Sequence, residues 1–205
     1  MMELVIYALL AAFIFLRLYN SLGKSTGRSI NLSFSKLVDN LERNKVETNV
    51  DHYIDHADKN MAPYKEILKK NKDFAIADFM QGASMAFEMI IKYFNQGNLT
   101  QLKQLLDRNL YNSFVEKVTN RQTINESIIV SIITQKITEI KVVKNIAFIS
   151  VYFLSEQINF SKNDQGEIIK GDTHTINQVK DTWQFKKNIN SSDPIWLLVS
   201  IKNDA

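Results

Sequence analysis

The sequence predicts an α+β domain, with about three helices packed on one face of a curved four-stranded antiparallel sheet. A membrane-anchor helix and a polar tether precede it. Three observations carry this reading. Helical spacing of apolar residues dominates between Phe74 and Arg121, four strand-like stretches follow, and an uncharged apolar run opens the chain. Helices first and strands afterwards is an order that places helices on one face of an antiparallel sheet. The organisation is then residues 1–22 as anchor, 23–72 as a partly helical polar tether, and 73–205 as the folded domain.

Length and composition bound the function. A chain of 205 residues with 45% hydrophobic and 23% charged content suits one core with attachments. Cysteine is absent, which excludes disulfides, thiolate nucleophiles and cysteine metal sites. The net charge of +3 is mild and lysine far outnumbers arginine, so the composition gives no reason to expect a nucleic-acid partner.

The apolar run Leu4–Leu16 contains Leu4, Val5, Ile6, Leu9, Leu10, Phe13, Ile14, Phe15 and Leu16 and no charge. A span needs roughly 17 residues or more. Met1, Met2 and the Leu18-Tyr19 pair lengthen the run if Arg17 snorkels to the interface. A cleaved signal peptide would want a positive n-region, whereas only Glu3 precedes the run, although Ser21-Leu22-Gly23 is a passable cleavage site. Arg17, Lys24, Arg28 and Lys36 follow it, so the positive-inside rule predicts a single-pass protein with its C-terminal body in the cytoplasm.

The tether is polar, with helical pieces expected near 33–43 and 62–72. Lys65, Lys69, Lys70 and Lys72 form a basic cluster there, a candidate contact for anionic lipid head groups, with a solvated face as the plainer alternative. His52 and His56 sit four apart, but no zincin glutamate lies between them and His174 is remote, so no metal is expected.

In the helical half, Phe79, Ala83, Ala86, Phe87, Ile90, Ile91 and Phe94 fall three or four apart and make one apolar stripe. Gly82, Ala83 and Ala86 keep part of it thin, which would admit a neighbouring backbone. Gly97 ends this helix. Asn98 caps a short one carrying Leu99, Leu102, Leu105 and Leu106, and a third follows with Leu110, Phe114 and Val118.

Residues 128–143, 145–160, 172–187 and 195–202 are rich in Ile, Val, Thr, Phe and Tyr and partly alternate. Lys144-Asn145, Asn163-Asp164-Gln165-Gly166 and Ser191-Ser192-Asp193-Pro194 are the breaks between them. Long strands curling around one helix make a half-open cone. Its pocket or core candidates are Phe79, Ala83, Phe87, Ile90, Phe94, Trp183 and Trp196.

Two blocks resemble the Tim44-like domain. The first is Phe79, Gly82-Ala83, Ala86-Phe87, Phe94, Gly97, Leu102, Leu105-Leu106, Tyr111, Phe114 and Arg121. The second is Val179, Asp181-Thr182-Trp183, Phe185-Lys186, Ser192-Asp193-Pro194, Trp196 and Leu198. The resemblance implies an NTF2- or cystatin-like cone and a scaffold at the inner (cytoplasmic) membrane that contacts lipid, membrane proteins or translocating chains. In mitochondria Tim44 also recruits Hsp70 through a long N-terminal extension. Only about 70 residues precede the domain here, so Hsp70 recruitment is not carried over.

No catalytic constellation stands out, so the reading is a non-enzymatic binding domain without a cofactor. Glu88, beside the apolar stripe, is the lone candidate general base, and it lacks a second polar partner at a fitting spacing. The alternative is a small-molecule enzyme or carrier using the cone's interior, which a polar dyad facing that interior would favour.

Overall fold

The computed structural model describes residues 52–204. The anchor residues of the Leu4–Leu16 run and the expected helical piece at 33–43 lie outside the described residues.

Four helices precede four strands: α1 (Ala57–Lys70), α2 (Ile76–Asn95), α3 (Leu99–Leu105) and α4 (Arg108–Thr119), then β1 (Ile124–Val143), β2 (Ile146–Lys162), β3 (Ile168–Asn188) and β4 (Leu197–Asn203). The sheet is an antiparallel meander of order β1-β2-β3-β4. The two-residue turn Lys144-Asn145 joins β1 to β2 with Lys144 at φ 59°, the left-handed geometry that tight hairpins require. Three register shifts interrupt β1, and each bulge bends the strand and increases its twist.

The apolar stripe of α2 buries Ile76, Phe79, Met80, Ala83, Ala86, Phe87 and Ile90. Phe87 stacks on Phe153 of β2 with ring centroids 4.6 Å apart, and lies 4.7 Å from Trp183 of β3. Phe79 meets Phe185 and Trp196 edge-on toward the other end of the helix. Helix α2 ends in a Schellman motif: Asn98 N–H donates to Tyr93 O at 2.8 Å and Gly97 N–H to Phe94 O at 3.0 Å. Asn98 then caps α3 by accepting from Gln101 N–H, and Asp107 caps α4 by accepting from Asn109 N–H.

Two expectations change. The segment ending at Lys72, read from sequence as a polar tether with a helical piece near 62–72, does contain a helix, α1, but it packs Tyr64 and Ile67 into the same core as α2. Just before it, Ile54 makes a parallel bridge to Ile137 at the free edge of β1. The polarity of α1 is one-sided: Lys59, Lys65, Lys69 and Lys70 are exposed while Asn60, Tyr64 and Ile67 are covered. Gly82 is the second. It is exposed and a Cβ there would meet nothing within 4 Å, so the close approach expected at this residue is absent.

The long strands outrun the helices. From Ile168 to Gln178, β3 is exposed along its length, and a wide bulge at Asp172–Thr175 separates Gly171, paired with Phe160, from Ile176, paired with Ile158. Asp172 holds that bulge by accepting from His174 N–H, Thr175 N–H and Thr175 Oγ1.

Candidate functional site

Two surfaces carry polar and charged groups, the basic flank of α1 and the helix-covered inner face of the sheet. On the flank, Lys65, Lys69, Lys70 and Lys72 are all exposed. Lys70 is tied down: its Nζ donates to Asn145 Oδ1 at 3.0 Å and Lys144 O at 3.3 Å, and pairs with Glu66. That tie fixes the β1–β2 turn against the end of α1. It places exposed Lys144 and Val143 beside the lysine cluster, a juxtaposition the sequence did not announce.

The inner face begins apolar. Alternate residues of β2 (Ala147, Ile149, Val151 and Phe153) are fully buried, and β3 contributes Phe185 and Trp183. Of the seven pocket or core candidates, Phe79, Ala83, Phe87, Ile90 and Trp183 are buried, while Phe94 and Trp196 are partly buried and pack against the same cluster.

Farther along, the same alternation continues with polar residues. Ser155 and Gln157 of β2 are buried, and Gln157 Nε2 donates to Ser155 Oγ at 2.9 Å. Asp181 of β3 is buried opposite Phe153, and its Oδ1 accepts from Asn203 Nδ2 of β4 at 3.1 Å. Burial pushes the Asp181 carboxyl above the usual range, against the opposing effect of the Asn203 hydrogen bond. Trp183 Nε1 is buried without a hydrogen-bond partner among the described residues.

Sequence reasoning missed this patch because Ser155 and Gln157 lie in a stretch read only as strand, and Asp181 was singled out only as part of the second family-like block. The signal was available in the period of two: Ser155 and Gln157 continue the inward row of Phe153.

Other candidates separate. Glu88 is exposed on α2, on the surface rather than against the inner face. His52 and His56 are exposed, and His174 lies in the exposed β3 bulge. Among the described residues no group of three metal-ligating side chains is assembled and no helix is long and apolar enough to cross a membrane.

Four helices preceding a four-stranded antiparallel meander, with a basic flank along α1, define an α+β domain. The chain belongs to the Tim44-like domain family, whose model matches residues 61–203. It is also similar to an uncharacterized protein of Rickettsia prowazekii (strain Madrid E), 22% identical over 229 residues that cover 98% of this chain and 96% of that protein. The family suggests a membrane-associated scaffold and is in general non-enzymatic.

Proposed function

We propose that this protein is a membrane-tethered binding scaffold at the inner (cytoplasmic) membrane, whose domain contacts anionic lipid and membrane or translocating proteins. The observation that carries the reading is the basic flank: Lys65, Lys69 and Lys72 stand exposed at one end of the domain, with Lys144 and apolar Val143 held beside them by Lys70. Each lysine near an anionic surface adds up to about 1 kcal/mol of attraction, and an apolar side chain at the same end supplies a shallow foothold. The uncharged run Leu4–Leu16 would hold the domain within reach of such a surface.

The test is flotation of a fragment spanning residues 48–205 with vesicles of neutral or partly anionic phospholipid. Anionic vesicles should carry the fragment, and replacing Lys65, Lys69 and Lys72 with Gln, leaving Lys70 to hold the β1–β2 turn, should abolish this without changing the fold. Equal binding before and after replacement removes the basic flank from the account. Protein partners are addressed by photocrosslinking in intact cells from Lys72 and Lys144. Recovery of membrane or exported proteins supports the scaffold, and recovery of no protein removes that half of the proposal.

A further inference from the structure

The connection from β3 to β4 stands at the same end of the domain as the lysine cluster. Both of its ends are pinned. Ile189 is buried in the core and Trp196 packs against it, and Ile189 N–H donates to Asn145 O of the β1–β2 turn at 2.9 Å. Lys70 holds that turn from the other side, so the turn joins α1 to the connection. The Trp196 ring lies 5.8 Å from that of Phe74, in the link that follows Lys72. Between the pins, every residue from Asn190 to Ile195 is exposed.

An apolar side chain left in water forgoes the gain of burial. Ile195 is nevertheless 49% exposed, on a backbone that is held in place: its N–H donates to Asp193 Oδ1 at 3.0 Å, Asp193 N–H donates to Ser191 Oγ at 3.2 Å, and Pro194 restricts the residue between them. Val143, beside the shared turn, is 56% exposed, more than any other exposed large apolar residue among those described. The charges at this end suit an anionic surface. Lys69, Lys72 and Lys144 are exposed and form no ion pair among the described residues. Glu66 is paired with Lys70 and the charge of Asp193 is set against Lys187, which leaves Asp73 and Asp78 exposed on an otherwise basic end. Apolar side chains among unpaired lysines have the character that enters the head-group region of an anionic bilayer. We infer that the β3–β4 connection completes the membrane contact: Ile195 and Val143 enter an anionic phospholipid bilayer together, while Lys69, Lys72 and Lys144 hold its phosphates. This rests on the anionic-lipid reading of the basic flank. It adds an apolar footing and an orientation, with the β1–β2 turn toward the bilayer and the β2–β3 turn, at the opposite end of β2, away from it.

The chain has no cysteine, so a single one can be introduced at each exposed position without competition. Full-length Val143→Cys, Ile195→Cys and, near the β2–β3 turn, Ile169→Cys are each labelled with the environment-sensitive fluorophore NBD. They are then reconstituted with vesicles of neutral or partly anionic phospholipid. In anionic vesicles the labels at 143 and 195 should brighten by at least about twofold relative to neutral ones and be quenched by nitroxide-bearing acyl chains. The label at 169, equally exposed in the free domain, should do neither. Replacing Lys65, Lys69 and Lys72 with Gln should remove the brightening at both positions. Silence at either 143 or 195, or an equal response at 169, overturns the inference. If that silence accompanies flotation that still depends on the lysines, the basic flank stands without the apolar footing. If wild-type flotation fails as well, both readings fall.

Discussion

Asn60 Oδ1 accepts the backbone N–H of Ile140 at 2.8 Å, so a helix side chain completes the edge of the sheet. Through Nδ2 the same side chain donates to Asp55 O at 2.7 Å and Thr138 O at 3.3 Å. Asn60 is fully buried and makes the bonds a neighbouring strand would make. With Asp55 N–H donating to Ile137 O and Ile137 N–H to Tyr53 O, it fixes the point where the chain enters the domain. Asn60→Ala leaves buried strand groups unsatisfied and should cost roughly 2–4 kcal/mol. Asn60→Asp keeps the acceptor but sets an anion against two carbonyl oxygens, and should cost at least as much. Urea denaturation of residues 48–205 measures both, and a midpoint equal to wild type for either variant refutes the edge-completing role.

The aromatic centre predicts the next result. Phe87 is fully covered and stacked on Phe153, and Trp183 completes the group at 6.2 Å from Phe153. Phe87→Ala and Trp183→Ala should each lower stability by roughly 3–5 kcal/mol, and the two effects should not add, because both residues line one cavity once either is removed. Trp183→Phe sheds an indole N–H that lacks a partner and should cost clearly less than Trp183→Ala. Thermal melting of the single and double variants decides the point; additive losses would mean the residues pack independently.

Much of this architecture could be read in advance because period and punctuation are local. The stripe from Phe79 to Ile90 is a helix face, Gly97 and Asn98 are a stop and a start, and Lys144-Asn145 is a hairpin turn. The role of α1 was hidden for a physical reason. Its residues read as polar because lysines cover its outer face, and beside Tyr64 and Ile67 in the core its attachment uses a buried amide, Asn60, two of whose partners are about 80 residues away in β1. The polar inner face was hidden differently. Ser155 and Gln157 are ordinary strand residues by composition, and only the inward direction of Phe153 gives them meaning. The lysine cluster was legible as charge, while its alliance with Val143 and Lys144 depends on Lys70 reaching a turn that lies far away in sequence.

Three glycines should answer differently to alanine. Gly82 sits in the exposed interior of α2 with open space around its Cβ direction, so Gly82→Ala should stabilise by roughly 0.5–1 kcal/mol. Gly97, at φ 64°, ends α2, and a Cβ would lie 2.8 Å from Arg121 Nη2, on a guanidinium whose Nη1 donates to Phe94 O at 3.3 Å. Gly97→Ala should cost about 1–2 kcal/mol, mostly from the backbone. Gly171, at φ 73°, would bring its Cβ to 2.5 Å from Asn159 O, a backbone atom that cannot swing aside. Gly171→Ala should therefore be the worst of the three, and the order of melting temperatures tests it directly. Reversal of Gly97 and Gly171 would mean the β3 bulge yields more readily than the helix end.

Asp107 and Asp181 should give stability opposite dependences on pH. The hydrogen bond from Lys186, reinforced by the N–H of Asn109, holds Asp107 below the ordinary carboxylate value of 3.8. Its folded value lies below its unfolded one, so its stabilisation is present above the unfolded value and is lost as pH falls through the folded one. Asp181 is raised above 3.8, chiefly by burial. Relative to the unfolded chain, its favourable contribution is present below 3.8 and is lost as pH rises through the folded value, where the buried group must ionise. Asp107→Asn should therefore be less stable than wild type at neutral pH, with the gap closing in acid. Asp181→Asn, which keeps an acceptor for Asn203, should be more stable than wild type at neutral pH, and that gap should also close in acid. Denaturation midpoints between about pH 3 and pH 7 give both differences, and subtracting wild type removes the common titration of the other carboxylates. An Asp181→Asn variant less stable than wild type at neutral pH would mean that the ionised Asp181 is held by a partner beyond Asn203.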